Sequence, residues 1–135
     1  MTIFLDTGIF IAERNADDKR HSRGEKLMKS VLKNDHGKAY TSDYVVDEAI
    51  TLMLMRTKRH ELATDIGKYV LKSPRIKVLR VTEEIFDSAW RKFKSFEENP
   101  ISFTDCTTLA LMEEKRIEKL ASFDSGFDGL VERIS

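Results

Sequence analysis

Short strand-like runs alternate with longer segments whose apolar residues recur every three to four positions. The runs are TIFL, AYTS, IKVLRV and EKLASF. Brief apolar runs bounded by turn residues read as buried strands, and segments with a 3.6-residue period read as amphipathic helices. Parallel strands need long crossovers, whereas antiparallel strands can be joined by tight turns. Strand–helix alternation therefore predicts an α/β fold, a short central parallel sheet flanked by helices on both faces. In such sheets, functional groups collect where the strands end.

The first run ends in Asp6 and is followed by a Thr7-Gly8 turn, after which GIFIAE opens a helix. Leu27, Met28, Val31 and Leu32 give a second helical period before the breaker cluster NDHGK. Ser42 or Asp43 can cap a helix reaching about Arg59, with Val45, Val46, Ala49, Ile50, Leu52 and Met53 on its apolar face. A further helix from about His60 to Lys72 stops before Ser73-Pro74. Thr82 caps a helix carrying Ile85, Phe86, Ala89, Trp90 and Phe93, whose common spacing is expected to make them core. VERIS offers a short fifth strand. No repeat or linker interrupts the 135 residues, so residues 1–135 are expected to form a single domain.

Charge and cysteine content narrow the function classes. Lysine plus arginine and aspartate plus glutamate each number 23, for a formal net charge of zero. That argues against a strongly basic nucleic-acid module and leaves room for a local basic patch. The clusters Lys19/Arg20/Arg23 and Arg56/Lys58/Arg59 are read mainly as solvated faces, with contact to RNA phosphates as the functional alternative. The one cysteine, Cys106, excludes an internal disulfide and reads as a small buried hydrophobe. His21, His36 and His60 lie in polar contexts without metal-ligand spacing. There is no glycine-rich phosphate loop. With no leader-like segment and no membrane-length apolar run, a cytoplasmic protein is expected.

The acids carry the chemical signal. Asp6 and Asp124 each follow a strand, and both also suit turns. Glu48 falls in the apolar band of its helix, beside Tyr44, Val45, Leu52 and Met55, whereas Asp47 lies on the polar side. In SFTDCTTLALM, Asp105 precedes Leu109 and Met112 by four and seven positions, which places a carboxylate on an apolar stripe. A buried, unpaired carboxylate is costly. If these acids converge at the sheet edge, a divalent cation removes the penalty, and an all-oxygen donor set favours Mg²⁺ or Mn²⁺ over zinc. Two such ions can activate water for phosphodiester cleavage.

IFLDTGIFIA, TSDYVVDEAITLM, ISFTDCTTLALM and KLASFDSGFDGL, in that order, resemble the acid-bearing segments of the PIN domain family, most of all the VapC-type toxin ribonucleases of prokaryotic toxin–antitoxin pairs. The resemblance covers nearly the whole chain. It implies a three-layer sandwich and an endoribonuclease site of Asp6, Glu48, Asp105 and Asp124 around Mg²⁺ or Mn²⁺. Thr7 matches a position often filled by a small hydroxyl residue, and Asp128 is a weaker candidate. The resemblance also implies an RNA substrate, a small antitoxin that covers the site, and a homodimer. A non-catalytic RNA- or protein-binding module on the same fold is the alternative.

Overall fold

A computed structural model describes residues 1–135. Five strands form one sheet: β1 (Thr2–Leu5), β2 (Lys38–Ser42), β3 (Ile76–Leu79), β4 (Lys119–Ala121) and β5 (Glu132–Ile134). Their order is β3-β2-β1-β4-β5, and every neighbouring pair is parallel. Helices α1 (Thr7–Arg14) and α2 (His21–Leu32) link β1 to β2, and α3 (Asp43–Thr57) and α4 (His60–Lys72) link β2 to β3. Helices α5 (Glu83–Ser95) and α6 (Phe103–Lys115) carry the chain back across to β4. Right-handed crossovers in opposite directions place these two groups of helices on opposite faces of the sheet. The three-layer α/β expectation holds. None of the helices is long and apolar enough to cross a membrane.

Central strand β1 explains the core. Ile3, Phe4 and Leu5 are fully buried because helices cover both faces, so the strand is apolar throughout rather than alternating. Ser42 caps α3 by accepting from the Val45 N–H at 3.1 Å. Asp43 instead accepts from the Val81 N–H through Oδ1 at 3.1 Å, and so ties the end of β3 to the start of α3. Cys106 is fully buried and unpaired.

Helix α2 approaches α1 closely at Gly24. A Cβ at that position would stand 2.8 Å from Ala12 Cβ and 2.8 Å from the Glu13 backbone nitrogen. Alanine normally stabilises a helix interior over glycine by up to about 1 kcal/mol. Here crowding outweighs that gain, and Gly24→Ala is expected to destabilise the protein by about 1–3 kcal/mol in urea unfolding. A midpoint that rises instead would mean that α1 and α2 can part without cost.

Helix α5 departs from expectation. Ile85 and Ala89 are buried, but Phe86, Trp90 and Phe93 are 44%, 49% and 39% exposed. The helix gives a narrow edge to the core, and its aromatic residues turn to one side of that edge. There they cluster around Phe103 of α6, with ring centroids at 5.0 Å for Phe86 and 6.2 Å for Phe93. Trp90 stacks on Phe93 at 6.1 Å, and Tyr44 of α3 reaches Phe103 at 6.5 Å. An aromatic surface beside the α6 N-terminus thus replaces the core role expected for Trp90 and Phe93.

Candidate active site

The direction of chain progression reverses at β1, which has β2 on one side and β4 on the other. Such a switch point opens a crevice at the carboxyl ends of the strands, between the two groups of helices. Asp6 is the first residue beyond β1, and its N–H donates to the Ala121 carbonyl at 3.0 Å. The residue is 7% exposed. Oδ1 accepts from the Thr7 N–H at 2.9 Å and caps α1, while Oδ2 accepts from the Ser122 hydroxyl at 2.7 Å. Burial pushes the Asp6 carboxyl above the usual aspartate range, the two hydrogen bonds oppose that push, and the charges of Glu48 and Asp124 add to it.

Asp105 lies in the first turn of α6, and its N–H donates to the N-cap hydroxyl of Ser102 at 3.0 Å. The residue is 9% exposed. Its carboxyl is pushed up to about 7, first by burial and then by the charges of Asp6, Asp124 and Glu48, with the Ser102 hydroxyl acting in the opposite sense. Asp105 has no arginine or lysine partner. The helix dipole favours a first-turn acid, but it does not offset three neighbouring carboxylates.

Glu48 projects from α3 and is half-buried. Leu52 is half-buried and Met55 is exposed, so the apolar band around Glu48 is wider than the core that covers it. Asp124 is exposed and caps a short 3-10 helix (Ser125–Phe127), where its Oδ1 accepts from the Gly126 N–H at 2.8 Å. The Asp124 N–H donates to the Ser122 hydroxyl at 3.0 Å, so one hydroxyl connects the segments bearing Asp6 and Asp124.

Asp6, Glu48, Asp105 and Asp124 all line one cleft of about 400 Å³. Thr7 lines it too, and its buried Oγ1 has no hydrogen-bond partner. Asp128 does not line the cleft. It faces Arg133 of β5, which donates to its two oxygens at 2.6 and 3.1 Å and to the Ser122 carbonyl at 3.0 Å. Asp128 thereby braces the β4–β5 connection from outside.

Sequence patterning did not single out Ser102, Ser122 or Asp18, all of which line the cleft. Isolated serines carry no periodic signal, and Asp18 sits among ordinary turn residues. The two basic clusters divide. Arg20 and Arg56 line the cleft, whereas Arg23 donates to the Ser135 carbonyl and Arg59 pairs with Glu61.

The donor chemistry suits a hard divalent cation: carboxylate oxygens raised by burial and mutual repulsion, beside an orphaned threonine hydroxyl. The side chains as placed do not bring three acidic, histidine or cysteine groups together around one point. A hard divalent cation can be held by one or two carboxylates, with waters completing its shell. Glu48 is half-buried and makes no side-chain hydrogen bond, so no protein donor competes with a cation for its carboxylate.

A parallel α/β sheet of this order with acids gathered at its switch point defines a class of acid-lined α/β domains, and the chain belongs to the PIN domain family, whose profile matches residues 3–132. The chain is 33% identical over 132 residues to the 23S rRNA-specific endonuclease VapC20 of Mycobacterium tuberculosis, with 96% of each chain covered. The crystal structure of that protein, a sarcin–ricin loop cleaving toxin, superposes with a TM-score of 0.84 at 30% identity, covering 95% of this chain and 94% of that one. Two more distant structures share the fold. VapBC2 from Rickettsia felis, bound to a promoter DNA fragment, has a TM-score of 0.69 at 13% identity and 99% and 98% coverage. FitAcB from Neisseria gonorrhoeae has a TM-score of 0.67 at 17% identity and 98% and 96% coverage.

Proposed function

We propose that residues 1–135 form a single nuclease domain, a Mg²⁺- or Mn²⁺-dependent endoribonuclease that acts as the toxin of a toxin–antitoxin pair. The observation that carries this reading is the gathering of Asp6, Glu48, Asp105 and Asp124 in one cleft at the sheet's switch point. Similarity to VapC20 along the full chain supports RNA, including ribosomal RNA, as the substrate class.

In this reading the four acids hold the metal. When bound, the metal supplies an activated water and stabilises charge on the leaving oxygen. The chain's own residues do the positioning. Ser122 holds Asp6 through Oδ2 and fixes the start of the Asp124 turn. Ser102 holds the first turn of α6, which aims Asp105 into the cleft. Thr7 offers its free hydroxyl to a water or a carboxylate within the cleft. A small antitoxin covering this cleft, a homodimer and a cytoplasmic location complete the proposal.

The test is cleavage of ribosomal and mixed cellular RNA with Mg²⁺, with Mn²⁺ and with EDTA. Discrete products with either metal and none with EDTA are expected. Equal cleavage in EDTA sinks the metal mechanism. RNA binding without cleavage under any condition favours the non-catalytic module, because the acids then lack a role in chemistry.

A further inference from the structure

Arg20 stands at the turn into α2, and Arg56 lies in the last turn of α3. Both are exposed, and both line the acid cleft. Five carboxylates, Asp6, Asp18, Glu48, Asp105 and Asp124, line the same cleft, yet neither guanidinium pairs with any of them. By contrast, Arg14, Arg59 and Arg133 each rest on a carboxylate. Arg20 is instead steered by an aromatic ring: its guanidinium carbon lies 5.3 Å from the centroid of Phe123, another cleft residue. A guanidinium held over a ring keeps its N–H groups free at the edge and presents a planar fork suited to phosphate.

The cleft needs such groups. Five acids against two arginines leave it formally negative, and RNA is a polyanion. A metal at the acids compensates the charge around the cleaved bond and leaves the neighbouring phosphates facing carboxylates. We propose that Arg20 and Arg56 bind the RNA phosphates flanking the cleaved one, so that the cleft separates the acids that act at the bond from two cations that hold the strand. This inference rests on the nuclease reading and deepens it.

The experiment uses a labelled RNA oligonucleotide that the unaltered protein cleaves. Its affinity is measured by fluorescence anisotropy across a salt series, with Mg²⁺ present and in an Asp105→Asn background so that binding is read without turnover. Arg20→Ala and Arg56→Ala are each expected to weaken binding about tenfold, the value of one charged hydrogen-bonding contact. Each is also expected to reduce the slope of log K against log salt by about 0.7, one single-strand phosphate contact. Arg20→Lys and Arg56→Lys should restore the slope while recovering only part of the affinity, because lysine keeps the charge and loses the fork. Melting temperatures should stay at the parent value, since both side chains are exposed. The lysine variants carry the same test where an alanine variant melts early. If both alanine variants keep the parent slope and bind within twofold of the parent, the inference is overturned while the nuclease reading stands. If the unaltered protein cleaves no RNA, the nuclease reading fails and takes this inference with it.

Discussion

Asp105→Asn will lower RNA cleavage by on the order of 10²–10³-fold, the range seen when one group that stabilises transition-state charge is removed, and will leave the metal-free protein more stable than before. The two effects have opposite signs because the same charge has opposite consequences for folding and for chemistry. In the folded protein the Asp105 carboxylate is buried and faces Asp6, Asp124 and Glu48 without a cationic partner. Asparagine has nearly the same shape and no charge, so it relieves desolvation and repulsion together. A substitution that merely damaged the fold would lower both activity and melting temperature. Cleavage rates and thermal melts of the two proteins at pH 7.5 decide the matter. A variant that cleaves within threefold of the parent removes Asp105 from the chemistry. One that melts several degrees lower removes the electrostatic account.

Stability in EDTA is expected to fall as pH rises from about 4 to 7. The folded-state value for Asp105 is about 7, above the ordinary 3.8. Between those values the folded chain keeps a proton that the unfolded chain has released, so raising pH favours unfolding. Below the lower value there is no penalty, and above about 7 it is complete. Each tenfold difference in proton affinity between the folded and unfolded chains is worth about 1.36 kcal/mol, so the full effect is roughly 4 kcal/mol as an upper limit, which corresponds to a ceiling of about 10–15 degrees in a domain of this size. Asp6, also raised by burial, acts in the same direction. Other groups titrate in this range, so the informative quantity is the melting temperature of Asp105→Asn minus that of the parent. That difference should grow from pH 5 to pH 7.5 in EDTA and shrink when Mn²⁺ is added, because a bound cation stabilises the ionised parent. A difference that is flat with pH would show that Asp105 is not strained by charge.

The strand–helix alternation and the four acids were legible because both are periodic or positional signals. Buried parallel strands are short and apolar, and Asp6 and Asp124 stand where such strands end. The aromatic face of α5 was not legible for a related reason. Helical spacing tells which residues share a side of a helix, but not how much of that side another element covers. Phe86, Trp90 and Phe93 obey the same period as Ile85 and Ala89, yet only the latter two reach the core. Glu48 shows the same limit in milder form, since its apolar neighbours on α3 continue beyond the covered surface. Asp128 was a candidate because it follows Asp124 closely. Its bidentate pairing with Arg133 depends on where β5 docks, which no local pattern encodes. Ser122 escaped notice because its importance lies in a bond to a residue at the other end of the chain.

That bond also bears on when the site can exist. Asp6 and Ser122 are separated by 116 positions, and β4 must dock against β1 before the two can meet. Closing a loop of that length costs chain entropy that nearer contacts do not. A partly synthesised chain on the ribosome therefore holds Asp6 and Glu48 without Asp105 and Asp124, and a fragment clipped before α6 stays in that condition. The four acids can share one cleft only once α6 and β4 have been made and docked, so incomplete chains remain without a finished site.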